Sequence, residues 1–324
     1  MAYVIGTDEA GYGPNLGPLV IVATLWRTAD DLPPAGFDEC LQRNIDRGER
    51  IGGASGEGNR LVIADSKQVY HAGGSLAVLE SGVLSAVATW SDLPKTGRAL
   101  WASLAPGAMS QIAELPCQDT FDVELPTQSD IDVIDKHIRT LREAFATGQV
   151  CLERIAATAL FPAEFNRRAE EVDSKGTVLS VATISLIAEL LDSIDDGPVA
   201  IVCDKHGGRN RYGELLQQQF PDAWIEVRRE SRPASIYRFG SPARRVEICF
   251  RSSGEQHAAA ALASMTAKYL RELSMAAFNR FWRQHLPQVR PTAGYPLDAR
   301  RFKAAIADVQ RELKIDDQLL WRSR

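Results

Sequence analysis

The sequence predicts a mixed α/β fold around one sheet, and three observations carry that expectation. A short apolar run, Tyr3-Val4-Ile5-Gly6-Thr7, ends in two carboxylates, glycines and a proline before a second β-branched run from Leu19 to Ala23. This reads as strand, tight turn, strand. A continuous apolar run, Val199 to Cys203, has the character of a strand buried on both faces. Stretches such as Ile131 to Ala146 repeat apolar residues at helical spacing, so helices alternate with strands along one chain.

The opening stretch places Asp8 and Glu9 at a strand end. Successive strand side chains point to opposite faces, so both carboxylates serve one site only if the regular strand stops between or just after them. Gly11, Gly13 and Pro14 supply that stop. Adjacent carboxylates on a rigid strand suit hard divalent cations, which take oxygen ligands. The alternative is that Asp8 only caps the turn.

Residues 28 to 60 read as a loop-rich insertion. Its Gly52 to Gly58 run lacks the Gly-Lys-Ser/Thr of a phosphate loop and suits a flexible segment. Asp65-Ser66-Lys67-Gln68 is either a plain capping box or a device that brings Lys67 to a phosphate. Between 75 and 128, Ala77 to Leu79 and Val83 to Ala88 look like strand pieces among unassigned material. A helix follows over 131–146, then a strand from Cys151 to Leu160, a turn at Phe161 to Asn166, and a helix over about 174–194. The strand at Val199 ends in Asp204, followed by glycines and basic residues, which repeats the opening design. In open sheets ligands gather where strands end. A helix is expected from Gly213 to Gln219 and a strand from Arg245 to Phe250. Ser252 to His257 then opens an alanine-rich helix to about Met275, with Ser252 and Glu255 matching a capping box. Phe278, Phe281, Trp282 and Leu286 continue helically, Pro291 to Asp298 turns, and 299–313 forms a final helix.

The 324 residues are 45% hydrophobic, enough for a sizeable core. Five cysteines without paired spacing indicate a reducing compartment and argue against a thiolate zinc site. There is no signal-peptide pattern and no apolar stretch long enough to cross a bilayer, so the expectation is a cytoplasmic, monomeric protein with no membrane partner. The net charge of −5 hides an asymmetry. Residues 205–324 hold 22 Lys or Arg against 12 Asp or Glu, while the first 204 hold 15 against 30. An acidic half joined to a basic half suits a cation site beside a polyanion surface. Arginines from Arg228 to Arg251, interleaved with Trp224, Tyr237 and Phe239, suit a phosphate backbone and stacked bases, or else a solvated surface.

Four stretches, in order, then resemble one family. Gly6-Thr7-Asp8-Glu9-Ala10-Gly11-Tyr12-Gly13-Pro14 with Gly17-Pro18 resembles the opening signature of type 2 ribonucleases H, the ribonucleases HII and HIII. Asp65-Ser66-Lys67 looks like the family's D-S-K segment, Ala263-Ser264-Met265-Thr266-Ala267-Lys268 like its A-S-x-x-A-K helix, and Gly294-Tyr295-Pro296 is similar to its late G-Y motif. Phe161 to Asn166 also resembles a ribonuclease HIII segment. The likeness extends from residue 4 to about 305.

That resemblance implies a ribonuclease H-like α/β fold: a central mixed sheet flanked by helices, with insertions near 28–60 and 90–128. The catalytic domain would span 1–275, and a C-terminal helical extension, 276–324, would pack on it. It also implies two Mg2+ or Mn2+ ions held by four carboxylates. Asp8, Glu9 and Asp204 match the first three; Glu255 is the candidate for the fourth and Glu247 the fallback. Gly11, Tyr12, Gly13, Lys67 and Tyr295 match substrate-binding positions. Tyr12 stands where ribonuclease HII members carry an arginine, which favours cleavage of longer RNA over incision at single ribonucleotides. The implied activity is endonucleolytic cutting of the RNA strand of RNA/DNA hybrids, or of ribonucleotide-containing duplex DNA, leaving 3′-hydroxyl and 5′-phosphate ends. Two other readings stay open: a nucleic-acid-binding protein of this fold that has lost catalysis, and an actin-like ATP-dependent kinase.

Overall fold

The apolar runs at Tyr3 and Val199 become neighbouring strands because each buries β-branched side chains on the sheet. A computed structural model of the chain describes residues 1–29, 34–43, 45–47, 60–71, 74–172, 174–194 and 197–323. Its seven strands are β1 (Ala2–Ala10), β2 (Leu19–Thr28), β3 (Val150–Leu160), β4 (Val199–Asp204), β5 (Glu226–Glu230), β6 (Ala234–Phe239) and β7 (Val246–Arg251). They form one mixed sheet in the order β3-β2-β1-β4-β7-β6-β5. β1 pairs antiparallel with β2 but parallel with β4, and β4 pairs parallel with β7. The three parallel strands stand at the centre, and their C-terminal ends carry Glu9, Asp204 and Arg251.

Helices cover both faces. On one face the helix Ala258–His285 lies across β1 and β2, and its Leu262 and Trp282 share a core with Trp26 and Trp101. Gly6 makes this possible: a Cβ there would stand 2.2 Å from the backbone of Ala259 and Ala260. On the other face the helix Lys175–Asp192 packs over Ile5, Ile21, Ile201 and Phe250. The helix Ala258–His285 runs unbroken through residues 275 and 276, where the sequence suggests a division.

Several elements differ from the sequence expectation. The strand-like pieces at 77–88 are one helix, Ala77–Val87, in which nine consecutive residues from Leu79 are buried. A helix enclosed on nearly all sides has no polar face to reveal its period. The segment at Phe161 opens a helix, Pro162–Val172, rather than a turn, with proline at the first helical position where it lacks no needed donor. The segment expected to be a loop-rich insertion carries a helix, Pro34–Gln42, whose Phe37 and Leu41 enter the core. The glycine run 52–58 lies outside the described residues. Tyr237 and Phe239 are buried, which removes them from any base-stacking surface and leaves Trp224, 85% exposed, as the aromatic of that group facing solvent.

Candidate functional site

β1 continues one residue past the carboxylate pair, to Ala10, and Gly11 breaks it with a φ of 92°. A side chain at Gly11 would be strained in that conformation and would meet the Pro18 carbonyl oxygen at 2.4 Å. The Glu9 backbone N–H donates to Asp8 Oδ1 at 2.8 Å, and the Ser264 hydroxyl also bonds the Asp8 carboxylate. Burial is the main force that pushes the Asp8 carboxyl up to about 7. The Asp204 charge adds to it, and Ser264, the Glu9 N–H and Lys67 oppose it. Glu9 is held well above its ordinary value by burial first, then by Asp8 and Asp204.

Asp204 stands at the end of β4. Thr7 pairs with Cys203, so Asp8 and Asp204 are the next residues along two adjacent parallel strands. The chain then returns at β7 and tightens into a 3-10 turn, Gly254–Gln256, entered through Ser253 in the left-handed region. Gly254 donates its N–H to Asp204 Oδ1 at 3.3 Å, and a Cβ on it would lie 2.9 Å from the Asp204 nitrogen. That contact fixes the turn against the strand end and brings Glu255 beside Asp204. Burial, then the charges of Asp204 and Asp65, raise the Glu255 carboxyl above its usual range. The capping box expected of Ser252 and Glu255 does not form; the Asp38 carboxylate receives the Ala258 N–H instead, at 2.6 Å. Glu247 lies opposite Ala200, well back from the strand ends, and pairs with Arg238. The fallback is thus removed from the cluster.

Lys67 is the cation among these acids. Asp65 caps its four-residue helix, Ser66–Val69, by accepting the Lys67 N–H at 3.0 Å, as the capping reading expects. Burial pulls the Lys67 ammonium down, but Asp65, Asp8, Glu255 and Asp204 together hold it above its ordinary value. Ser66 and Ser264 join hydroxyl to hydroxyl at 3.0 Å, which ties this short helix to the long one.

A groove of 790 Å³ runs from Glu9, Gly11 and Lys67 past Lys268 and Arg271 to Tyr295. Tyr295 is 51% exposed on its wall. Gly11, Lys67 and Tyr295 thus line one groove. Tyr12 and Gly13 do not line this groove: the Tyr12 hydroxyl points toward Gly176 and Gly207, on the face covered by Lys175–Asp192. Asp65, read from the sequence as a cap, stands close enough to act on Lys67 and Glu255, while Lys268 and Arg271 line the groove and were not expected as site residues. Of those two, only Lys268 carried a signal, as the last residue of the Ala263-to-Lys268 segment.

Among the described residues no three His, Cys, Asp or Glu side chains stand close enough to hold a metal ion. The chemistry of the donor set nonetheless fits one. Asp8, Glu9, Asp204 and Glu255 offer only oxygen, the preference of Mg2+ and Mn2+. Their mutual repulsion, met by one ammonium, is what a bound cation would relieve.

No family model and no curated protein matches the chain. Solved structures do. The ribonuclease H2 of Pyrococcus horikoshii OT3 aligns over 98% of this chain and 92% of its own, at 14% identity and a TM-score of 0.42. The ribonuclease HII of Archaeoglobus fulgidus, solved with PCNA, aligns over 99% and 94%, at 13% identity and a TM-score of 0.42. Bst-RNase HIII, solved with Mn2+, aligns over 99% of this chain and 66% of its own, at 14% identity and a TM-score of 0.40.

Proposed function

We propose that the chain is a divalent-metal-dependent endoribonuclease that cuts the RNA strand of RNA/DNA hybrids, leaving 3′-hydroxyl and 5′-phosphate ends. One observation carries the reading: the end of β1, the end of β4 and the turn after β7 bring Asp8, Glu9, Asp204 and Glu255 to one end of the sheet beside the Lys67 ammonium. The four carboxylates would hold two Mg2+ or Mn2+ ions, which when bound supply an activated water and stabilise the leaving oxygen.

The chain's own residues do the rest. Ser264 and the Glu9 N–H orient Asp8. Lys67 offers an ammonium to a phosphate at the mouth of the groove, and Lys268 stands further along it. Gly11 lets the backbone approach a sugar closely, and Tyr295 presents an exposed ring to the same strand. Readout of 2′-hydroxyls across a shallow minor groove would separate RNA from DNA.

The test is cleavage of matched duplexes carrying one, four or many ribonucleotides, with Mg2+ or Mn2+. We expect cutting of the longer RNA tracts, weak cutting at a single ribonucleotide, and none by Asp8→Asn, which keeps hybrid binding. Full activity of purified Asp8→Asn would overturn the assignment. A second reading, a hybrid-binding protein without catalysis, draws on the fact that among the described residues no three carboxylates converge closely enough to hold an ion. Retarded migration of the hybrid with no cutting in either metal would select it.

A further inference from the structure

We infer that the first insertion is a positioning clamp for Glu255, acting through Asp38 and Arg47 on the backbone that carries it. The inference rests on the reading of Glu255 as a carboxylate of the metal-dependent centre.

Glu255 lies on a one-turn 3-10 segment with no side-chain cap, and the helix that follows has none of its own from His257. Such a turn exposes carbonyls and N–H groups that need partners. The insertion supplies them from more than 200 residues away in sequence. Arg47 Nη2 donates to the carbonyl oxygens of Glu255 at 3.2 Å and Gln256 at 2.7 Å. Asp38 accepts the Ala258 N–H at 2.6 Å, and its other oxygen lies 3.5 Å from His257 Nε2. Phe37 stacks flat on the His257 ring, with centroids 5.1 Å apart and planes 10° from parallel. Phe37 is itself locked edge-on against Trp26 in the core, at 5.4 Å.

Every residue from Glu255 to Ala258 is thus held from behind by the insertion, while Gly254 holds the turn to Asp204 from the front. The Glu255 side chain is left without a hydrogen-bonding partner from the clamp, which grips only its backbone. That is the arrangement expected of a support that fixes a ligand's position without competing for its oxygens. A glutamate has more rotatable bonds than an aspartate, so holding its backbone matters more for its reach.

Three measurements on the full chain test this. Backbone hydrogen exchange without added metal should show the Gln256 to Ala258 amides of Asp38→Ala and Arg47→Ala exchanging at least tenfold faster, with amides in β1 and β4 unchanged. Asp38→Asn keeps an acceptor for the Ala258 N–H and should restore protection there. Mn2+ titration by calorimetry should show Arg47→Ala binding about tenfold more weakly in the native background and no more weakly in a Glu255→Ala background. Equal losses in both backgrounds, or unchanged exchange at these amides, would overturn the clamp. If the exchange and coupling results hold but the native chain cuts no hybrid in either metal, the functional reading fails and the clamp stands.

Discussion

Asp8 and Asp204 stand at the same level on two adjacent parallel strands, one residue beyond the Thr7–Cys203 pair, and the Asp204 charge helps to raise the Asp8 carboxyl. The fold therefore brings like charges together, and the consequence is measurable. A carboxyl held near 7 when folded, against 3.8 when free, stays protonated in the folded state while the unfolded chain ionises. The stability contributed by this group without metal is full below about pH 4 and is lost as pH rises toward 7. Asp8→Asn should therefore raise the melting temperature in EDTA at pH 8 and leave it unchanged at pH 4. About 1.5 °C is expected for each kcal/mol released in a chain of this length. Mg2+ should raise the melting temperature of the native chain but not of Asp8→Asn. Equal melting of the two proteins at pH 8 in EDTA would sink this account.

Gly6 sets how closely the helix Ala258–His285 approaches the strand bearing Asp8. A methyl group at 2.2 Å from two backbone atoms cannot be accommodated by a side-chain rotation, so the helix must move. Gly6→Ala should cost about 3 kcal/mol or more in urea unfolding. It should also weaken Mn2+ binding, because Ser264, which orients Asp8, rides on that helix. A stability change below about 1 kcal/mol would contradict this packing.

How far the sequence reveals such a molecule depends on whether a residue's role is written near it. Ile131–Ala146 was legible because one face is buried and the helical period follows, and Val199–Asp204 because its apolar residues run without interruption. Asp8 and Asp204 were legible because a carboxylate after an apolar run marks a strand end. Ala77–Val87 was not, since continuous burial erases its period. Glu255 emerged only with Glu247 as its rival, and the choice depended on strand register, which the sequence does not display. Asp38 and Arg47 stayed hidden because their partners lie over 200 positions away.

Arg322 presents a different anomaly. Its guanidinium is buried with Nε, Nη1 and Nη2 all unpartnered, and it lies 5.0 Å from the centre of the Phe165 ring. Desolvation, with Arg271 alongside, pulls it down to about 9. Its backbone is well anchored: the Arg322 N–H donates to the Asn15 carbonyl, and Asn166 holds the residues on either side. Removing an uncompensated buried charge while keeping its volume should stabilise the fold. Arg322→Met is expected to gain about 1–4 kcal/mol in chemical unfolding. A loss of stability would mean that the guanidinium has a partner in solution.

His206 supplies the opposing slope in acid. It is 3% exposed, its Nδ1 lies 3.0 Å from the Ser180 hydroxyl, and burial lowers it to about 3. The unfolded chain takes up a proton near 6.5 that the folded chain refuses until about 3. Stability from this group is complete above 6.5 and is lost as pH falls toward 3. Between 4 and 6.5 the Asp8 slope runs the other way, and Glu9 adds to Asp8, so the two effects partly cancel in the native chain. Asp8→Asn should uncover the histidine, with stability rising more steeply with pH across 4–6.5 than in the native protein. His206→Gln should do the reverse, leaving stability that falls with rising pH. Urea midpoints taken at half-unit pH steps in EDTA would separate the two. Parallel profiles for all three proteins would mean that neither group carries the folded-state shift assigned to it.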